Sequence, residues 1–125
     1  MSSWKPYLEW LLADRGVKCA GIFGQDGATW GASDGFELTA PEVTNIVAGL
    51  RDKANLSAGV TAGGNKFLFV TRLPEGSLVA RRGATSLLGI LTTKAVIVLL
   101  TRDNYNPGSV DSHSAVAEKL IQLGF

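Results

Sequence analysis

His113 and Cys19 are the only histidine and cysteine in the 125 residues of this chain. A Cys–His nucleophile would need both in one place, and nothing in their spacing arranges it. His113 falls near the start of a polar helical segment, where a solvated imidazole is expected. Cys19 lies in the apolar run Val17 to Phe23, so a buried free thiol in a reducing compartment is expected. The pattern holds no zinc-like grouping and no calcium-loop spacing of carboxylates. Gly63-Gly64-Asn65-Lys66 resembles a phosphate loop only superficially: Ser or Thr is missing after the lysine, and a strand-like run follows. A hairpin is the better reading there. The expectation is therefore no catalytic residue, no metal and no cofactor.

The aromatic side chains offer different chemistry, that of holding a ligand. Trp4 and Tyr7 stand one helical turn apart at the start of the chain, and Trp30 follows the turn-like run Gly24-Gln25-Asp26-Gly27. Two readings compete. As core residues they would simply extend the stripe Leu8, Leu11, Leu12. As an exposed shelf they would suit proline, whose ring packs flat on indole or phenol and whose extended helix has little entropy left to lose. Indole N–H and phenol O–H groups can also donate to the carbonyls of such a peptide. Arg81 and Arg82 occupy adjacent strand positions, hence opposite faces, so at least one is expected in solvent.

Composition narrows the classes further. Hydrophobic residues make up 46% and charged residues 18%, which fits a folded globule with its own core rather than a disordered tail. The length suits one domain, residues 1–125, without metal or disulfide staples. A net charge of +1 gives no general support to nucleic-acid binding. The strongest apolar run, Ala95 to Leu100, has the length of one buried strand, far below the ~20 residues of a membrane span. The N-terminal segment is amphipathic and carries Glu9 and Asp14, unlike a secretion signal. A cytoplasmic location is expected, where the sequon Asn55-Leu56-Ser57 has little meaning.

These side chains need elements to position them. The spacing predicts a helix from Ser3, as N-cap, to about Asp14, with Pro6 in its first turn and Trp4, Tyr7, Leu8, Leu11 and Leu12 on one face. Val17 to Phe23 and Ala28 to Trp30 read as strands about the Gln25-Asp26-Gly27 turn. Thr39-Ala40-Pro41-Glu42 opens a second helix with Val43, Ile46, Val47 and Leu50 inward. About five strands follow, with turns at Gly63-Gly64-Asn65, Pro74-Glu75-Gly76, Gly83 and Thr92-Thr93-Lys94. A loop from Asp103 to Pro107 leads to a closing helix, Ser109 to Phe125, carrying Val116, Leu120 and Leu123 on one side. Such short connections force antiparallel pairing. The fold class is α+β: a single central antiparallel sheet of about six to seven strands, with the N- and C-terminal helices on one face and the remaining helix on the other.

Taken together, the motifs resemble those of the profilins. The resemblance spans essentially the whole chain: Ser3-Trp4-x-x-Tyr7, Ile22-x-Gly24-Gln25-Asp26-Gly27-x-x-Trp30, Gly64-x-Lys66-Phe67, Arg81-Arg82-Gly83, Pro107-Gly108 and a Gly124-Phe125 ending. It implies a cytoskeleton-associated protein that binds monomeric actin, promotes nucleotide exchange on it and delivers it to elongation factors of the formin type. By position it implies a polyproline-binding shelf of Trp4, Tyr7, Trp30 and Phe125. Actin-binding residues implied in the same way are Lys66, Arg72, Arg81, Arg82 and Glu118. Many relatives bind phosphatidylinositol bisphosphate, and the lipid-binding residues expected here are Arg81, Arg82 and Lys94. The chain departs from the pattern at Lys119, where relatives often carry an aromatic or His, and at Leu91, where a Lys is frequent. An adaptor for proline-rich peptides or lipid with weak or no actin binding stands as the alternative, and an enzyme or ligand-sensing domain of similar build as a third.

Overall fold

In the computed structural model the described residues are 4–33, 36–52, 59–72, 77–105 and 112–125, with the backbone alone at 69–72. Ser3, Asn55-Leu56-Ser57, Pro74-Glu75-Gly76 and Pro107-Gly108 lie outside them, as does the stretch 109–111 expected to begin the last helix. The element order is α1 (Lys5–Ala13), β1 (Val17–Gly24), β2 (Thr29–Ala32), α2 (Ala40–Arg51), β3 (Val60–Ala62), β4 (Asn65–Arg72), β5 (Leu78–Arg82), β6 (Thr85–Leu91), β7 (Ala95–Thr101) and α3 (Ser112–Gln122). All seven strands form one sheet in the order β2-β1-β7-β6-β5-β4-β3, and every pairing is antiparallel.

β7 sits inside this sheet, between β1 and β6, and its sequence is apolar without alternation because both of its faces are covered. Val96 and Val98 face Val43, Ile46, Val47 and Leu50 of α2. Ala95, Ile97 and Leu99 face Leu11 of α1 and Val116, Ala117 and Leu120 of α3. The predicted layering is thus the observed one, with α1 and α3 on one face and α2 on the other. α2 begins where expected: Thr39 Oγ1 accepts from the Glu42 amide at 3.3 Å, and Glu42 Oε1 accepts from the Thr39 amide at 2.8 Å. This reciprocal capping box satisfies two donors that the first turn cannot use.

Four expectations need correction. Trp4, not Ser3, takes the N-cap position of α1, with no side-chain cap; its carbonyl accepts from the amides of Tyr7 and Leu8 at 3.1 and 3.0 Å. Leu12 is exposed, because a nine-residue helix presents one narrow stripe, Trp4, Tyr7, Leu8 and Leu11, and Leu12 lies about 100° away from Leu11. His113 is buried, 2% exposed: with Val116, Ala117 and Leu120 it occupies the i, i+3, i+4, i+7 stripe of α3 that faces the sheet. Leu123 is exposed because α3 ends before it. There Gly124 adopts φ 91°, the Phe125 amide donates to Leu120 O at 2.8 Å and the Gly124 amide to Ile121 O at 3.0 Å. That is a Schellman turn, and it brings Phe125 inward in place of Leu123.

Candidate functional site

The aromatic residues of three separate segments meet. Trp4 comes from the start of α1, Trp30 from the edge strand β2, and Phe125 from the turn after α3. The indoles of Trp4 and Trp30 stack with centroids 4.9 Å apart and planes inclined by 25°. Phe125 stands edge-on to both, at 5.1 Å from Trp4 and 6.1 Å from Trp30. Tyr7 lies 5.9 Å from Trp4. Offset stacks and edge-to-face contacts are the favoured aromatic geometries. All four residues pack against the α1/α3 core from one side and are only partly buried. Core packing and shelf are therefore not exclusive: each side chain packs on the core and keeps part of its surface open.

The backbone makes room for this stack. Gly31 lies so close beneath α1 that a Cβ there would come within 3.0 Å of Trp4 Cβ and 3.3 Å of Leu8 Cδ1. Gly24 has the same relation to Trp30, with the indole Nε1 at 2.9 Å from such a Cβ. Both glycines fall just outside the strand runs read from the sequence, Val17 to Phe23 and Ala28 to Trp30, although a glycine at a strand position is a known mark of close approach.

Phe125 is tied down by residues that sequence reasoning missed. Its main-chain oxygen accepts from the Thr92 hydroxyl at 2.7 Å and from the Lys94 amide, both in the β6–β7 turn. The Thr92 Oγ1 in turn accepts from the Ala95 amide at 2.9 Å. Gln25, in the β1–β2 turn, donates its side-chain amide to Thr92 O at 2.8 Å and accepts from the Arg51 guanidinium of α2. A chain of hydrogen bonds thus runs from the end of α2 to the wall of the shelf. A Gln within a predicted tight turn was the sole clue.

The basic residues are only partly brought together. Lys66, Arg81 and Arg82 are exposed and stand at one end of neighbouring strands. Leu68 pairs with Arg81 and is itself 47% exposed. Cross-strand partners share a face and residues two apart on a strand do too. Lys66, Leu68 and Arg81 therefore lie on the face that also carries α3, where Glu118 is exposed. Arg72 ends β4 opposite Leu78, at the far end of that strand from Lys66. Lys94 follows β6, whereas Arg82 precedes it, so about 20 Å of strand separates them. The expected cluster of Arg81, Arg82 and Lys94 is not formed; Lys94 belongs to the surroundings of Phe125. Leu91 is half-buried against the α2-side core, at the same end as Lys94. Lys119 is exposed on α3.

Two ionisable groups have shifted equilibria. Burial pushes the Cys19 thiol up, against the opposing charge of Lys18 and the Leu100 backbone hydrogen bond, so it is a weaker nucleophile than a free cysteine. Burial also acts to raise the Glu42 carboxyl, but the donors from Thr39, Gly64 and Gly63 outweigh it and hold the group below the usual carboxylate value. Among the described residues no group of three or more His, Cys, Asp or Glu is placed to hold a metal ion. No described helix is long and apolar enough to cross a membrane.

Comparison with known proteins agrees with this geometry. The sequence model of one family, Profilin, matches residues 2–125. The profilin of Bombyx mori is 34% identical over 126 residues, covering 98% of this chain and 99% of its own. The crystal structure of Acanthamoeba castellanii profilin II superposes with a TM-score of 0.88 at 25% identity, covering 98% of this chain and 100% of that one. Two more distant structures share the fold. One is mouse profilin IIa, solved with a double repeat from the FH1 domain of mDia1, with a TM-score of 0.79 at 20% identity, covering 99% of this chain and 100% of that one. The other is LokiProfilin1, solved with rabbit actin, with a TM-score of 0.76 at 14% identity, covering 95% of this chain and 94% of that one.

Proposed function

The chain belongs to the profilin family, and on that footing we propose that it binds monomeric actin, regulates polymerisation and nucleotide exchange, and holds proline-rich peptides at a separate site. It is a binding protein of one domain, acting in the cytoplasm with the cytoskeleton, and it carries out no covalent chemistry. The observation that carries the reading is the convergence of Trp4, Tyr7, Trp30 and Phe125 on one surface. An extended proline helix has carbonyls without internal partners and flat ring faces, and half-open indoles and a phenol supply both contacts. Formin-type elongation factors, which carry such segments, are the fitting partners.

The actin-facing surface in this reading is the sheet face beside α3, with Lys66, Arg81 and Glu118, extended by Arg82 at the strand end. Leu68 adds apolar area between the charges. For phosphatidylinositol bisphosphate, Arg81, Arg82 and Lys66 supply the charge. At about 1 kcal/mol per basic side chain near an anionic surface, three of them give weak, salt-sensitive adhesion.

The test combines two assays on the purified chain. A peptide of ten prolines should change tryptophan fluorescence saturably, because Trp4 and Trp30 become covered. The protein should slow spontaneous assembly of pyrene-labelled actin at roughly tens of micromolar, a range of weak but specific binding. Absence of both effects in a folded sample would overturn the proposal.

A further inference from the structure

The geometry points to Thr92 as a positioning residue of the proline-peptide shelf, acting through Phe125. The inference rests on the shelf reading above and deepens it. Thr92 is 7% exposed and offers no surface to a peptide. Its hydroxyl has a single proton. Phe125 O at 2.7 Å and Ala95 O at 3.2 Å compete for it, and the shorter contact identifies Phe125 O as the acceptor. Thr92 Oγ1 itself accepts from the Ala95 amide at 2.9 Å, which orients the hydroxyl towards Phe125. The Thr92 carbonyl accepts from the Gln25 side-chain amide at 2.8 Å.

This arrangement matters because Phe125 follows α3 by a Schellman turn through Gly124. Past such a turn there is no helix to orient Phe125, since α3 ends at Gln122. The Leu120 carbonyl fixes its amide, while Thr92 and Lys94 fix its oxygen. With both ends of the residue set, its Cα–Cβ bond is aimed at the indoles, and the ring stands edge-on to Trp4 and Trp30. Without the hydroxyl, one of the two donors that anchor the oxygen is gone, and the ring loses its fixed angle to the indoles. A proline helix would then have to order that wall on binding, which costs affinity.

The experiment compares Thr92→Val, which keeps the shape and removes the hydroxyl, with Thr92→Ser, which keeps the hydroxyl. Affinity for a ten-proline peptide is measured by fluorescence in the wild-type and Phe125→Ala backgrounds. Thr92→Val should weaken binding by about 3- to 10-fold and Thr92→Ser by less than 2-fold, a range set by loss of one interfacial restraint. In the Phe125→Ala background Thr92→Val should have no further effect, since the ring it orients is absent. Equal weakening in both backgrounds would indicate a general structural role and overturn the inference, as would undiminished binding by folded Thr92→Val. The ring-current shifts of Phe125 protons in the free protein provide a readout that needs no peptide. They should collapse in Thr92→Val while those of core Ile97 persist, and unchanged shifts would sink the positioning role. Failure of the wild-type to bind peptide would instead count against the shelf, so the two failures are distinguishable. Should Thr92→Val not fold, Gln25→Leu loosens the same turn with the hydroxyl intact, and the same coupling to Phe125 decides.

Discussion

Trp4 and Trp30 stack at 4.9 Å only because Gly31, facing Ile22 across the β1–β2 ladder, leaves no side chain between α1 and the edge strand. The contact is therefore encoded twice, once in the rings and once in the residue that stays out of their way.

The first expectation concerns that absence. Gly31→Ala places a methyl 3.0 Å from Trp4 Cβ and 3.3 Å from Leu8 Cδ1, so α1 must shift. Overpacking of this kind costs about 1–3 kcal/mol. Urea unfolding should report the loss of stability, and proline-peptide titration a parallel loss of affinity. An Ala variant that binds and unfolds like the wild-type would show that α1 has slack the geometry does not suggest.

Removing a ring tests the shelf directly. Trp30→Ala deletes one member of the stack, and an anchor of this type contributes about 1–3 kcal/mol, or roughly 5- to 150-fold in affinity. Isothermal titration with oligoproline measures it without relying on indole fluorescence. Actin sequestration should be unaffected, because distant sites contribute nearly additively.

Charge reversal separates the two ends of the sheet. Arg81→Glu should weaken actin sequestration and adhesion to phosphoinositide vesicles. Lys94→Glu should leave sequestration and vesicle adhesion unchanged, standing as it does across β6 from Arg81 and Arg82. Pyrene-actin assembly and vesicle co-flotation in a salt series check both; equal loss for the two variants would contradict a localised patch.

Glu42 gives a pH dependence with a definite sign. Its carboxylate accepts from the Thr39 amide at 2.8 Å and from the Gly64 amide at 2.9 Å, tying the start of α2 to the β3–β4 turn. The folded-state pKa is lowered, so the contribution to stability is complete above the ordinary carboxylate value of about 4.3 and is lost as pH falls through the lowered one. Glu42→Gln should therefore be less stable than wild-type at neutral pH by of the order of 1 kcal/mol, with the gap closing in acid. Urea midpoints at several pH values decide; a gap independent of pH would remove the charged form from the explanation.

Periodicity carried most of the fold. The buried strand β7, the Thr39 cap and the two-sided helix arrangement could all be read along the chain, because each depends on local pattern. The four rings of the shelf could be nominated from type and spacing together with the family resemblance. What spacing could not reveal was which end of a strand each cation occupies. Arg82 and Lys94 are close in sequence, but β6 runs its full length between them. The restraints on Phe125 were equally hidden, since Thr92 and Gln25 meet only after β1 and β7 pair. His113 was misjudged because polarity was weighed above its place on the α3 stripe.

The shelf draws Trp4 from the beginning of the chain and Phe125 from its last turn, joined through a sheet in which β1 pairs with β7. A nascent chain that has reached α2 already contains both stacking tryptophans but lacks the strand that seats β1 and the turn that supplies the edge-on wall. The rings therefore meet only when β1 and β7 have paired, so the shelf depends on the closed sheet and not on α1 and β2 by themselves.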